Sequence, residues 1–227
     1  MDLLVLWDVD GTLLNAGGVG GELYGAVFTQ LFGRTLEAHA PMAGRTDRAI
    51  ILQTLEMAGV PDPRRFVDPF IAGLTARAPA VLEAVSLRGR ALPGAAAALT
   101  ALASARVQQS VLTGNIRPVA EVKLAAVGLS DPLDLRIGAY GDDHEIRAEL
   151  VHIARQRAAA AGGDFPGPAT VLVGDTPLDI EAAIAAGARA VGVATGSYPA
   201  ADLLAAGAHT VLPDLTDTRL VLTALLS

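Results

Sequence analysis

The chain has no cysteine and a single lysine, Lys123, among its 227 residues, and aromatic residues make up only 4%. Without thiols there are no disulfides and no thiolate metal sites. No apolar run reaches the roughly 18 residues needed to span a bilayer. The opening Met1-Asp2-Leu3-Leu4-Val5 has neither a basic region nor a cleavage site, so no secretory signal is expected and a soluble cytoplasmic protein is. Basic runs and aromatic–basic interleaving are also missing, and the net charge is −7, which argues against nucleic-acid partners. His39, His144, His152 and His209 share no ligand spacing, and none accompanies a serine nucleophile in a triad pattern.

What is present suits a large α/β domain, or a core domain with an insertion. Apolar residues make up 52%, enough for a sizeable core. Runs over Leu3–Trp7, Gln109–Leu112, Leu135–Ala139, Ala169–Val173 and Ala190–Val193 read as buried strands, with a short one over Thr210–Leu212. Helical patterns lie between them, over Gly94–Ala105, Pro118–Val127, Arg147–Ala161 and Leu178–Ala186. This alternation predicts a Rossmann-like parallel sheet with right-handed crossovers. Sites in such sheets lie beyond the carboxyl ends of the strands. Residues 15–88 break the alternation: the pattern there is helical over Glu22–Phe32, Thr46–Ala58 and Arg64–Val85, with no strand. The expected division is a core of residues 1–14 and 89–227 and an all-α cap of residues 15–88.

The chemistry gathers at the ends of the expected strands. Asp8-Val9-Asp10-Gly11-Thr12-Leu13 follows the apolar run Leu3–Trp7 directly. One intervening residue puts Asp8 and Asp10 on the same side of an extended backbone. Close like charges require a cation or a shared proton, so the pair suits a hard metal ion and an Asp nucleophile. Trp7 reads as core. Thr113-Gly114-Asn115 ends the next strand, where a hydroxyl and the N–H groups of a helix start suit a phosphate; an ordinary threonine N-cap is the alternative. Gly174-Asp175-Thr176-Pro177-Leu178-Asp179 ends another, with carboxylates of the kind Mg²⁺ prefers or, alternatively, helix N-terminal acids favoured by the dipole. Asp179, one turn into the helix, is read as supporting the ligands rather than joining them.

Taken in order, these stretches resemble the motifs of the haloacid dehalogenase-like hydrolases, and Gly44-Arg45-Thr46-Asp47 resembles the substrate-facing turn of the helical cap in the phosphoglycolate phosphatase-like branch. The resemblance implies that Asp8 attacks phosphorus and that Asp10 serves as general acid and base. It also implies that Asp8, the Asp10 backbone carbonyl and Asp175 hold Mg²⁺, and that Thr113, Gly114 and Asn115 bind the phosphoryl group. The family's usual lysine is missing from the helix start before the Asp175 motif, where Asp142-Asp143-His144-Glu145-Ile146-Arg147 stands. Arg147 is the expected replacement, since arginine keeps the charge and engages oxyanions through its fork. Lys123 is expected on the surface, with Asp142, Asp143 and His144 in a solvated loop. Arg45 is expected either to meet the remote end of an anionic substrate or to be a surface charge beside a Thr46 N-cap.

The implied activity is a Mg²⁺-dependent phosphatase acting on a small phosphorylated metabolite. A phosphomutase of the same fold and a non-catalytic, receiver-like or interaction protein are the alternatives. Asp10 argues against the dehalogenase branch, and the absence of lysine from the cap argues against Schiff-base phosphonate cleavage. Neither a membrane nor a nucleic acid is an expected partner, and the sequence gives no oligomeric state.

Overall fold

A computed structural model describes residues 3–103 and 107–227. Its centre is a five-stranded sheet, parallel throughout, whose strands lie side by side in the order Val107–Val111, Leu3–Trp7, Thr170–Gly174, Arg189–Val193 and Thr210–Leu212. The strands are β1 (Leu3–Trp7), β4 (Val107–Val111), β5 (Thr170–Gly174), β6 (Arg189–Val193) and β7 (Thr210–Leu212). Successive side chains go to opposite faces, and both faces are dry. Val5, Trp7, Val171, Val173, Val191 and Val193 belong to one apolar cluster, while Leu4, Leu6, Leu172 and Ala190 belong to another. Trp7 is fully buried, and its indole N–H donates to Gln109 Oε1 at 3.2 Å.

The helices α5 (Ala95–Ala103), α6 (Arg117–Ala126), α7 (Arg147–Ala160), α8 (Pro177–Ala185), α9 (Ala200–Ala205) and α10 (Thr218–Leu226) complete this layer arrangement. The last positions of the helix expected over 94–105 lie outside the described residues. Leu135–Ala139 does not form the expected strand: only Ala139 pairs, as an isolated bridge to Leu112. The Asp134 carboxylate accepts from the Arg136 backbone N–H and from its guanidinium, which curls the chain into a turn before a ladder can form.

Between β1 and β4 the chain inserts α1 (Val19–Phe32), α2 (Asp47–Met57), α3 (Val67–Ala76) and α4 (Ala78–Arg88). The helix expected over Arg64–Val85 is broken. A short 3₁₀ turn, Pro63–Phe66, leads into α3, and the chain bends by 56° before α4. Pro79, in the first turn of α4, has no N–H to donate and would clash with the carbonyl one turn earlier, so a continuous helix is excluded. The four inserted helices share an apolar cluster that reaches Ile116 and Val119 beside and in α6. The chain leaves and re-enters the sheet layer through a two-strand antiparallel ladder, β2 (Leu14–Asn15) against β3 (Arg90–Ala91). Among the described residues no single helix is long and apolar enough to cross a membrane.

Candidate active site

The carboxyl ends of β4, β1 and β5 meet where the strand order reverses, and the expected site residues gather there. Asp8 continues β1, anchored by its N–H to the Val173 carbonyl at 2.8 Å. The chain then turns through Gly11, whose φ of +89° places it in the left-handed region. A Cβ on Gly11 would lie 2.5 Å from the Asp175 carboxylate, so glycine is required twice over. Thr12 Oγ1 donates to Asp175 Oδ1 at 3.0 Å and ties the β1 loop to the β5 loop.

Beyond β5, Thr176 caps α8, and Pro177 occupies its first turn. Asp179 closes a capping box with Thr176: its Oδ2 accepts from the Thr176 backbone N–H and hydroxyl. Its Oδ1 accepts from Arg147 Nε at 2.9 Å and from Nη2. Arg147, at the first position of α7, is buried and reaches across to Asp8 Oδ1 at 2.7 Å. It is an internal clamp between the carboxylate at the end of β1 and the one that caps α8.

Ligand atoms of Asp8, Asp175 and Asp179 lie within 4.8 Å of one another, all buried. Burial, then repulsion from Asp179, pushes the Asp8 carboxyl well above its usual range against the pull of Arg147. The same two causes raise Asp175 to about 7. Burial works against the Arg147 charge, but Asp179 and Asp8 outweigh it and hold the guanidinium above its ordinary value.

Asp10 belongs to a second network. Its Oδ2 accepts from Asn115 Nδ2 and from Lys123 Nζ, each at 2.7 Å. Lys123 Nζ also donates to Asn115 Oδ1 at 2.7 Å, and Asn115 Nδ2 to Thr113 Oγ1 at 2.8 Å. Lys123 is thus not the expected surface cation: it is 5% exposed and bridges α6 to the acid pair. A signal was present in its position. Val119, Ala120, Lys123 and Leu124 form one inward stripe of α6.

With all groups ionised, Asp8, Asp10, Asp175 and Asp179 are paired, among the described residues, with Arg147 and Lys123, an excess of two negative charges. That imbalance, together with oxygen ligands held in a dry cluster, suits a hard divalent cation. Asp8 and Asp175 could hold it, since both Asp179 oxygens are committed to Arg147 and Thr176.

The insertion closes the site from above. The α2 N-terminus docks on the core: Asp47 N–H donates to the Gly114 carbonyl, Arg48 N–H to Gly141, and Thr46 Oγ1 to the Glu145 carbonyl. Gly114 thus receives the insertion through its carbonyl. The Asp47 carboxylate, which sequence reasoning gave no role, is buried between Tyr24 Oη at 2.6 Å and Ile116 N–H at 2.8 Å. Burial raises it to about 6 against the hydrogen bond from Tyr24.

Arg45 borders the cavity, but its guanidinium turns back onto the insertion, to Gln53 Oε1 and the Pro41 and Ala49 carbonyls. No remote-anion contact is preformed there. Asp142 and Asp143 are not solvated loop acids. Asp142 Oδ1 accepts from the Arg117 N–H, and Asp143 accepts from the Tyr140 N–H and pairs with Arg157. His144 Nδ1 accepts from the Ile146 N–H, within the same loop.

A parallel α/β sheet with clamped, buried carboxylates at its switch point and a helical insertion after the first strand defines a class of hydrolases. The family model for haloacid dehalogenase-like hydrolases matches residues 5–183, and a second, for HAD-hydrolase-like proteins, matches residues 149–218. The chain belongs to the haloacid dehalogenase-like hydrolases. No curated protein matches it in sequence. Among solved structures it is similar to a hydrolase from Pseudomonas syringae, with TM-score 0.72, 20% identity and 100% of each chain covered. It is also similar to a predicted phosphatase from Clostridium acetobutylicum, with TM-score 0.71, 16% identity and 98% and 99% covered. A third similar structure is CbbY from Rhodobacter sphaeroides in complex with phosphate, with TM-score 0.71, 18% identity and 100% of each covered.

Proposed function

We propose that this hydrolase is a Mg²⁺-dependent phosphatase that cleaves a small phosphomonoester through an aspartyl-phosphate on Asp8. The observation that carries this reading is the pair of networks at the β1 tip. Arg147 anchors Asp8, while Lys123 and Asn115 anchor Asp10, and both acids line the same cavity. Two carboxylates one residue apart, held by separate partners, suit two separate roles.

In the first half-reaction an Asp8 carboxylate oxygen attacks phosphorus and the bond from phosphorus to the leaving oxygen breaks. Asp10 gives its proton to that oxygen, so a neutral alcohol departs. In the second half-reaction Asp10 takes a proton from water as the water oxygen attacks phosphorus, and the bond from phosphorus to Asp8 breaks to release phosphate. Thr113 Oγ1 would donate its proton to a phosphoryl oxygen, and Arg147 would oppose the charge that accumulates there. Bound Mg²⁺ would neutralise phosphoryl charge and orient the group for in-line attack. In this reading residues 15–88 are a cap over a core of 1–14 and 89–227, and closure excludes competing water.

The test is phosphate release from small phosphomonoesters by the purified protein, with Mg²⁺ and with chelator. Release that needs the metal and is lost in Asp8→Asn is expected. Retention of most activity by Asp8→Asn would falsify the nucleophile assignment.

A further inference from the structure

The cavity that opens at Asp8 and Asp10 runs on beneath the insertion. Its volume is about 540 Å³, within the roughly 300–1,000 Å³ of small-molecule sites. The far part is walled by Leu23 of α1, Ile50 of α2, Val81 of α4 and Val119 of α6, with Leu14 and Leu92 beside the β2–β3 ladder. Its cations are already engaged. Lys123 is bonded to Asp10 and Asn115, Arg147 to Asp8 and Asp179, and Arg45 to Gln53 and two backbone carbonyls. Besides Asp8, Asp10 and Asp175 the lining holds a fourth carboxylate, Asp47, to which Tyr24 directs its hydroxyl.

We infer that the leaving group is neutral and largely apolar: an alkyl or aryl alcohol, not a second anion. The inference rests on the phosphatase reading and assigns the substrate class of that same site. A second carboxylate or phosphate would lose its water beside Asp10 and Asp47, and would reach the Arg45 charge only by displacing Gln53 and the Pro41 and Ala49 carbonyls. An alkyl or aryl group would leave water for a wall of branched aliphatic side chains, which favours it in proportion to the area buried. The proton that Asp10 delivers then produces an uncharged alcohol in an apolar chamber.

The experiment compares phenyl phosphate and n-butyl phosphate with 2-phosphoglycolate, using the full chain with Mg²⁺. Both neutral-tailed esters are expected to exceed 2-phosphoglycolate in kcat/KM by about 10–100-fold, the scale of burying one large apolar side chain. Leu23→Ala should narrow that ratio mainly through KM for phenyl phosphate. A merely structural change would lower thermal stability and leave the ratio alone. Asp47→Asn should narrow it from the other side, by improving 2-phosphoglycolate.

Dissociation constants of the same esters for Asp8→Asn, measured by calorimetry, provide a readout that needs no turnover. Tighter binding of phenyl phosphate sustains the inference even if none of the esters is hydrolysed, a result that would sink only the phosphatase reading. Equal or better binding and turnover of 2-phosphoglycolate would overturn the inference and leave the phosphatase reading standing.

Discussion

Replacing Lys123 by methionine keeps the bulk of the side chain and removes its charge. In the structure Nζ lies 2.7 Å from Asp10 Oδ2, with the lysine side chain 7% exposed and the aspartate side chain 38% exposed. Breaking a fully buried pair by removing one partner costs about 3–5 kcal/mol, but solvent at Asp10 lowers that figure to an expected cost of about 1–2 kcal/mol in stability. The kinetic effect should be larger and selective. General acid–base catalysis contributes about 10²–10⁴-fold, and Lys123→Met leaves the acid in place but poorly held, so kcat for n-butyl phosphate should fall about 10–100-fold. A p-nitrophenyl leaving group needs little protonation, so its hydrolysis should fall much less. Lys123→Arg should recover part of the loss. The assay is phosphate release from both substrates, with thermal melts to check folding. Equal losses on both substrates, or unchanged kcat on both, would refute the view that Lys123 orients the acid.

Further outcomes follow from the other contacts. Arg147→Ala should cost about 2–4 kcal/mol of transition-state stabilisation, read as kcat/KM, and Arg147→Lys should recover only part of it, because an ammonium cannot reproduce the fork between Asp8 and Asp179. Recovery of full activity by the lysine variant would contradict the clamp geometry. Mg²⁺ should raise the melting temperature of the wild-type protein at pH 7.5 but not that of Asp175→Asn; an equal shift in both would remove Asp175 from the ligand set. Asp47 should make stability pH-dependent. Its folded pKa of about 6 exceeds the ordinary carboxylate value, so its favourable contribution is complete below about pH 4 and is lost as pH rises through 6. A rise of that size corresponds to roughly 3 kcal/mol of pH-dependent stability at most. Asp47→Asn can still accept from the Ile116 N–H and donate to Tyr24, so its stability should vary less between pH 4 and 7 in chemical denaturation; an unchanged pH profile would contradict this.

The sheet was legible because its strands are dry on both faces and therefore read as apolar runs. Thr210–Leu212 matches the structure at both ends, and Pro177 opens α8 as a first-turn proline should. The helix over 64–85 was misread because its apolar period continues through Arg77, while Pro79 interrupts the hydrogen bonding. Leu135–Ala139 has a strand's composition, but the Asp134–Arg136 contacts take the chain into a turn.

At the site, position along the chain was enough to place Asp8, Asp10, Thr113 and Asp175 at strand ends, because strand ends are set by local pattern. The direction of a long side chain is set by tertiary partners. Arg147 turns inward because Asp8 and Asp179 await it, and Arg45 turns away because Gln53 holds it. Lys123 carried the one available hint, its place on the inward stripe of α6, which the general preference of lysine for the surface concealed.

The central claim is that Asp8 itself carries the phosphoryl group, and trapping that group tests it most directly. The protein would be mixed with Mg²⁺ and phenyl phosphate, quenched in acid within the first turnover, and digested for mass spectrometry. A phosphoryl group is expected on the peptide that contains Asp8, located at that residue, absent from Asp8→Asn and accumulating in Asp10→Asn when a good leaving group is used. Rapid phosphate release with no phosphorylated Asp8 at any quench time, or a label on another residue, would contradict it.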